Sequence, residues 1–237
     1  MTQIQSHHTS VDCVVLGFDG EKLKVLLIRR NDGTDSENFH DMKLPGSLIY
    51  ADEDLDDAAR RVMSEITGLK NIFMHQFKAF GALDRTSNPE DVKWLERAQK
   101  VRVGRIVTVG YFSLVRIDKA LIRSMENTEA LWLPVNDLPQ LAFDHNIIIR
   151  EAVSYLRTIA GINPGCMYEL LPRKFTISQL RSLYEVVFGK RIDAGNFYKK
   201  MAQRPYVVPV GEKQEKVSHR AAMLYKFDRA IYNKMLP

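Results

Sequence analysis

The most informative stretch of this chain is LPGSLIYADEDLDDAARRVMSEITGL, residues 44–69. It opens with a Pro-Gly turn, passes through a cluster of acids and ends on Thr-Gly-Leu. From Glu53 onward, apolar side chains recur four, three and four residues apart, at Leu55, Ala59, Val62 and Ile66. This spacing predicts an amphipathic helix that Asp52 caps at its N-terminus and Gly68 terminates.

The composition is that of a globular protein with a substantial core. Of the 237 residues, 45% are hydrophobic and 27% are charged. The apolar runs are too short to span a bilayer, and the N-terminus lacks the basic and apolar segments of a signal peptide. Cys13 and Cys166 lie far apart and lack the neighbours of a disulfide framework or a metal site. We therefore expect a cytoplasmic protein with no membrane partner.

Charge is distributed unevenly along the chain. Residues 1–155 carry 19 basic against 23 acidic side chains, and residues 156–237 carry 15 against 6. A mildly acidic first part joined to a small, strongly basic second part indicates two domains with different partners. The basic part is suited to contact phosphates, as in nucleic acid, although a well-solvated surface explains the charge equally well.

The remaining segments predict an α+β protein. A hairpin of VDCVVLGF (11–18) and LKVLLIRR (23–30) is followed by strand-like runs at 73–83, 105–115 and 129–135 and by a helix near 147–159. Breaker residues then cluster at Gly161–Gly165. We place a domain border there, which gives domains at 1–160 and 161–237.

The opening stretch resembles the Nudix box, G-x5-E-x7-R-E-U-x-E-E-x-G-U, in which U is apolar. Matching residues stand at five defining positions, with Met63 as the first U: Glu53, Arg61, Glu65, Gly68 and Leu69. The leading glycine of the box falls on Ser47, and two of its glutamates fall on Val62 and Ile66. The resemblance implies a mixed-sheet α/β/α Nudix domain.

The two replaced glutamates bear on whether the chain is an enzyme. In catalytic Nudix enzymes these glutamates hold a divalent metal against a diphosphate, and such a cation needs several oxygen ligands. Val62 and Ile66 supply none, so we expect no catalytic residues, no metal site, no cofactor and no hydrolase activity. A metal site rebuilt from Asp52, Asp56 or Asp57 would leave the alternative, a Nudix hydrolase of a nucleoside diphosphate derivative with an accessory winged helix.

Further matches point to one branch of the Nudix proteins. The segment 132–157, WLPVNDLPQLAFDHNIIIREAVSYLR, is similar to the closing segment of Nudix domains, and GALDRTS (81–87) followed by RIVTVGYFSL is similar to a strand-loop-strand of Nudix-related transcriptional regulators. These include the sugar-responsive, arabinose-type repressors. The resemblance implies a homodimer in which a degenerate Nudix domain senses a small molecule and a C-terminal winged helix binds double-stranded operator DNA.

The basic part of the chain supports this independently. TISQLRSLYEVVFG (176–189) and AGNFYKKMAQ (194–203) predict a helix-turn-helix, and YVVPV (206–210) and AMLYKF (222–227) predict two strands around a basic loop, a wing. A small helical accessory domain with a basic rim is the alternative. Our candidate DNA-binding residues are Arg191, Asn196, Lys199, Lys200, Lys213, Lys216, His219 and Arg220.

Residues 86–104 depart from the family, which usually has a short loop there. Pro89 and the following apolar spacing predict an inserted amphipathic helix that caps the effector pocket, enters a dimer interface or covers apolar surface. The loops around a Nudix cleft contribute our candidate effector-binding residues, Arg30, Glu53, Asp84, Arg85, Arg105, Asp144 and His145. The expected effector is a sugar such as arabinose or an ADP-ribose-like nucleotide. The lost metal ligands favour a sugar, whereas three arginines would suit a phosphate.

Overall fold

The computed structural model of the chain describes residues 8–30, 42–69, 72–100, 102–125, 128–215 and 221–236. The chain divides into two compact units. One takes the described residues of 1–16, 24–113 and 119–155, and the other those of 17–23, 114–118 and 156–237. The later division falls at Tyr155–Leu156, close to the predicted border, and we keep 1–160 and 161–237 as proposed domain bounds.

The first sheet has seven strands among the described residues. They are β1 His8–Phe18, β2 Leu23–Arg29, β3 Met42–Lys43, β4 Gly46–Leu48, β5 His75–Phe80, β6 Ile106–Arg116 and β7 Ala130–Pro134. Its order is β3-β2-β1-β6-β5, with β4 paired to β1 and β7 paired to β2. The sequence predicted β1, β2, β5, β6 and β7, whereas β3 and β4 are too short to show a periodic pattern.

Neighbouring residues of β6 place one helix on each face of this sheet. Successive side chains of a strand point to opposite faces. The hydroxyl of Tyr111 donates to Asp56 of helix α1, Leu55–Thr67, at 2.5 Å. The ring of Phe112 packs edge-on against Tyr155 of helix α4, His145–Ile162, with 5.2 Å between centroids. The sheet therefore lies between α1 and α4, the predicted α/β/α arrangement.

Helix α1 ends where predicted but begins later. Asp54, not Asp52, is the N-cap, and its carboxylate accepts a 2.7 Å hydrogen bond from the Asp57 amide. Gly68 ends the helix in the left-handed conformation, with φ 71°. Several acids in a row can each act as a cap, so composition alone does not select among them.

The predicted inserted helix is present as α2, Pro89–Gln99. Asn88 caps it by accepting from the Glu90 amide, and Pro89 occupies its first turn. The sequence did not predict three short helical segments: helix α3 Lys119–Ser124, a 3-10 helix at Pro164–Leu170 and a C-terminal helix.

The second unit has the predicted winged-helix elements. They are α5 Ile177–Phe188, α6 Ala194–Ala202 and the antiparallel strands β8 Val207–Lys213 and β9 Met223–Phe227. The C-terminal helix that was not predicted, α7 Arg229–Lys234, follows them. Thr176 and Gln179 form a capping box at the start of α5, and Gly189 ends α5 with φ 64°. An aromatic cluster forms the core, in which Tyr168 stacks on Phe227 at 4.1 Å. In the part of the chain that the structure describes, none of the helices is both long enough and apolar enough to span a bilayer.

Candidate functional site

A cavity of about 880 Å³ opens in the first unit. The end of β5 and the loop after it form one wall, the first turn of α2 forms a second, and the segment leading into α4 forms a third. Apolar and polar groups share the surface. The polar and charged side chains that line it are Arg30, Asp84, Arg85, Ser87, Asn88, Glu90, Asp91, Gln140 and Asp144.

Arg85 is the centre of a buried ion network at this cavity. One terminal nitrogen donates to Asp12 at 2.8 Å and the other to Asp144 at 2.7 Å. The Arg85 side chain is only 4% exposed, and its Nε is buried with no hydrogen-bond partner among the described residues. A guanidinium that bridges two buried carboxylates fixes their positions, so Arg85 joins β1 to the start of α4.

Asp12 is held in its ionised form by the groups around it. Burial alone would raise its pKa, but His145, Arg85 and Lys43 together hold the pKa of this carboxyl well below its ordinary value. Burial also lowers the pKa of the Lys43 ammonium to about 8. Gly46 makes this packing possible, because a Cβ there would lie 2.2 Å from an Asp12 oxygen.

A second ion pair closes the cavity wall beside α2. Asp91, which is 3% exposed, accepts from a terminal nitrogen of Arg30 at 2.5 Å and from the Phe143 amide at 2.8 Å. The Arg30 guanidinium also lies 5.3 Å from the ring centre of Trp94, one turn further along α2. Phe143 has φ 53°, a conformation that non-glycine residues adopt rarely and that is typical of functional sites.

Four of the seven predicted effector-binding residues line the cavity: Arg30, Asp84, Arg85 and Asp144. Arg105 lies beside it, where its guanidinium donates to the Gly81 carbonyl at 2.9 Å. His145 lies beneath it, 2% exposed, and accepts from the Leu44 amide at 3.1 Å. Its other ring nitrogen is 3.5 Å from Asp12, so His145 orients the Asp12 carboxylate.

Glu53, which was also predicted to bind the effector, does not line this cavity. Arg61 donates two hydrogen bonds to its carboxylate, at 2.8 and 2.5 Å, and the Tyr50 amide donates a third. The hydrogen bonds from Arg61 hold the pKa of Glu53 below its ordinary value. The Arg61 guanidinium lies 4.0 Å from the Tyr50 ring centre. Glu53 therefore fixes the loop that leads into α1.

The side chains on α1 do not fit a magnesium site. Val62 is fully buried, Ile66 is half-buried and apolar, and Glu65 points to solvent with its side chain 61% exposed. Glu53 is already engaged by Arg61, as described above. Within the described ranges, His, Cys, Asp and Glu do not form any group of three that could hold a metal ion. A hard cation needs several converging oxygen ligands, which this surface does not offer.

Three residues of the network were missed from the sequence: Asp12, Lys43 and Asp91. Asp12 left a usable signal, since it is the only charged residue inside the apolar run of β1 and a buried acid must be paired. Asp91 left none. It stands in the first turn of α2, where an acid is expected for helix capping reasons alone.

The helix-turn-helix of the second unit presents a polar face. The turn between α5 and α6 is fixed by Glu185, whose carboxylate accepts from the Ile192 amide at 2.7 Å and from Arg181 at 3.2 Å. Phe197 and Met201 pack inward, 6% and 4% exposed, as predicted. The predicted DNA-binding residues that are described are all exposed: Arg191, Asn196, Lys199, Lys200 and Lys213.

The other three predicted DNA-binding residues, Lys216, His219 and Arg220, lie outside the described residues. Lys213 closes the last described pair of the wing, opposite Met223, after an irregularity that begins at Pro209. Tyr198 was not among the predicted residues, yet it is 49% exposed on α6 and its hydroxyl lies 3.1 Å from that of Tyr225 on β9.

Comparison with known proteins agrees with this architecture. The family model of the NUDIX domain matches residues 6–155, and that of the NrtR DNA-binding winged helix domain matches residues 167–227. The chain is 25% identical over 233 residues to a protein of Acinetobacter baylyi named ADPR responsive transcriptional repressor NtrR, covering 96% of this chain and 85% of the relative.

Two solved structures extend the comparison. Shewanella oneidensis NrtR complexed with a 27mer DNA shares 27% identity and a TM-score of 0.69, with 95% of each chain covered. A MutT/nudix family protein from Enterococcus faecalis shares 23% identity and a TM-score of 0.64, covering 96% of this chain and 89% of that one, which shows the fold alone. This protein therefore has a mixed α/β Nudix fold followed by a C-terminal winged helix, and it belongs to the Nudix family.

Proposed function

We propose that the protein is a transcriptional repressor that binds double-stranded operator DNA as a homodimer, and that its Nudix domain senses ADP-ribose instead of hydrolysing a nucleotide. The observation that carries the proposal is the match of residues 167–227 to a DNA-binding winged helix, joined to a Nudix domain whose described residues form no group of three His, Cys, Asp or Glu side chains that could hold a metal ion. Residues 1–160 would be the sensor and 161–237 the DNA-binding domain.

The exposed face of α6 supports the DNA-binding half of the proposal. Recognition helices enter the major groove with exposed polar side chains and pack against the preceding helix with apolar ones. Asn196 is exposed in the first turn of α6, and its amide side chain has the donor and acceptor pattern that pairs with adenine. Lys199 and Lys200, in the last turn, are placed for phosphates. We keep Arg191, Lys213, Lys216, His219 and Arg220 as further proposed phosphate contacts.

The state of α1 supports sensing over catalysis. The two glutamates that the Nudix pattern expects at Val62 and Ile66 are absent from the sequence, and Val62 has become part of the core. Glu53 accepts two hydrogen bonds from Arg61, and Glu65 lies 3.6 Å from the same guanidinium, so both remaining carboxylates of the pattern are paired with a cation of the protein. A chain of this kind can retain the nucleotide-binding cavity without the means to activate water.

The size and polarity of the cavity favour ADP-ribose over a simple sugar. Pockets for small-molecule ligands measure about 300–1,000 Å³, and a cavity of about 880 Å³ is near the upper end of that range. A single pentose would fill only a small part of it. The Acinetobacter baylyi relative is named as ADPR responsive, and the relatives described above give no support to the arabinose-type branch that the sequence suggested. We propose Arg30, Asp84, Arg85 and Asp144 as cavity residues that face the effector.

The proposal is tested with the full chain and a library of random duplexes. Selection should yield a palindromic site, because a homodimer with two-fold symmetry reads two equivalent half-sites about one helical turn apart. Fluorescence anisotropy on the selected duplex should then show release of DNA by ADP-ribose and no release by ribose. Steady hydrolysis of ADP-ribose with Mg²⁺ and no selected sequence would instead support the hydrolase with an accessory winged helix.

A further inference from the structure

The inserted helix α2 is attached to the cavity wall by a charge. Its fully buried side chain is Asp91, whereas the apolar Val92 and Leu95 stay half-buried. A surface helix normally packs with an apolar stripe inward. The position of α2 therefore depends on what Asp91 binds.

Asp91 accepts hydrogen bonds from two donors that are well suited to bind an anion. One oxygen accepts from the Arg30 guanidinium at 2.5 Å and the other from the Phe143 amide at 2.8 Å. A guanidinium beside a backbone N–H is a combination that proteins use to bind phosphate groups. Arg30, Asp91 and Phe143 all line the cavity, so a ligand in the cavity can reach the same donors.

Arg30 is more accessible to a ligand anion than Arg85. Arg85 bridges Asp12 and Asp144, and its side chain is 4% exposed, so an anion there would have to separate it from two buried carboxylates. At Arg30 the group that it would replace is the Asp91 carboxylate. That carboxylate stands next to the exposed residues Asn88, Pro89 and Glu90 in the first turn of α2, where a local shift meets little packing.

We propose that Arg30 and the Phe143 amide form an anion subsite for a phosphate or pyrophosphate group of the effector, and that Asp91 competes for it as an internal carboxylate. Asp91 thereby sets how strongly an anionic effector is bound. The identity of the effector rests on the proposed function, whereas the anion subsite is a property of these three residues alone.

Calorimetric titrations of the full chain with inorganic pyrophosphate, ADP-ribose and ribose test the inference. Asp91→Asn keeps the shape and removes the competing charge, so we expect about tenfold tighter binding of pyrophosphate and ADP-ribose, the worth of one charge-assisted hydrogen bond. The matched control is Asp137→Asn, the same substitution at an exposed acid of the first unit that does not line the cavity. Its charge is screened by solvent, so a change of less than about twofold is expected. Uncharged ribose should bind all three proteins equally.

The outcomes separate this inference from the proposed function. Tighter pyrophosphate binding by Asp91→Asn, with no ADP-ribose binding to any variant, would support the subsite and reject the effector. The opposite result is that the unmodified chain binds ADP-ribose, while folded Asp91→Asn binds pyrophosphate and ADP-ribose with unchanged or lower affinity. That result would support the effector and overturn the subsite.

A fluorescence titration covers the case in which Asp91→Asn does not fold. Trp94 is on α2, and its ring lies beside the Arg30 guanidinium. The other tryptophan, Trp132, is on β7, where its indole nitrogen has no hydrogen-bond partner among the described residues. In a Trp132→Phe background, pyrophosphate should change the Trp94 emission saturably, because displacing Asp91 moves α2. Arg30→Lys should abolish the change, since the ammonium lacks the planar fork. An unresponsive Trp94 would overturn the proposal.

Discussion

Replacing Arg85 by methionine should destabilise the Nudix domain strongly. Methionine keeps the length of the side chain but removes the guanidinium that pairs with Asp12 and Asp144, whose side chains are 7% and 12% exposed. Removing one partner of a buried ion pair costs about 3–5 kcal/mol, because the remaining charges lose their compensation out of reach of water. We expect a loss of that size in the free energy of unfolding at pH 7.

The chain offers both a probe and a control for this measurement. Trp94 and Trp132 are the only tryptophans and both lie in the first unit, so their fluorescence during urea unfolding reports on that unit. Arg105→Met removes a guanidinium beside the same cavity, but Arg105 is exposed, so a cost below about 1 kcal/mol is expected. In a double-mutant cycle, Arg85→Met and Asp12→Asn should couple by more than about 1 kcal/mol.

The pH dependence gives a further check on the same variant. The pKa of Asp12 is depressed in the folded chain, because the interactions with His145, Arg85 and Lys43 outweigh the effect of burial. Such a carboxylate stabilises the fold above its ordinary pKa of 3.8, and the contribution is lost as the pH falls below that value. In Arg85→Met, keeping Asp12 and Asp144 ionised without the guanidinium costs free energy, and protonation removes that cost. The loss in the free energy of unfolding, relative to the unmodified protein, should therefore become smaller as the pH falls from 7 toward 4. A variant within about 1 kcal/mol of the parent, or a deficit that ignores pH, would refute the reasoning.

Three other predictions concern function. The double change Lys199→Ala with Lys200→Ala should weaken binding to all DNA sequences and reduce the salt slope of the affinity by about two units, and an unchanged slope in anisotropy titrations would exclude α6 from the groove. Asn196→Ala should lower discrimination by roughly 1–3 kcal/mol at one base pair, measured with single-substituted duplexes. With Mg²⁺ or Mn²⁺, the chain should not turn over ADP-ribose, NADH or nucleoside triphosphates. A rate of about 1–10 per second that vanished in Glu65→Gln would contradict this.

The parts of the fold that were predicted correctly are those set by local periodicity. The helix α1 and the pair α5 and α6 follow from apolar spacings within single segments, and their C-terminal glycines mark the ends of α1 and α5. The candidate site was predicted in part, because its contacts join distant positions. Asp12 and Arg85 are 73 residues apart, and Arg30 and Asp91 are 61 apart. The spacing of residues along a chain carries no information about such pairs, which depend on how the strands are ordered.

The inserted helix shows the same limit from another direction. Its apolar spacing predicted an amphipathic helix, and such a helix normally packs its apolar side chains inward. The structure instead buries Asp91 and brings the first turn of α2 to the cavity, which favours the role of pocket wall. Hydrophobic periodicity identifies a helix, but it does not reveal a buried charge whose partner is elsewhere in the chain.

The residues of the Nudix pattern that this chain keeps are those with a structural task. Arg61 binds Glu53 through two hydrogen bonds, lies over the Tyr50 ring and donates to the Leu48 carbonyl at 3.3 Å, so this pair ties β4 and its following loop to α1. Gly68 ends α1 in a left-handed conformation that other residues adopt at a cost. Val62 and Ile66 stand where the pattern has two carboxylates, and the task of those carboxylates is to bind metal, not to pack. Glu65 is the carboxylate of that metal-binding set which the chain keeps, and it lies 3.6 Å from the Arg61 guanidinium that also holds Glu53. If the chain is a sensor, this pairing gives Glu65 a structural task of its own, whereas Val62 and Ile66 replace carboxylates that had none.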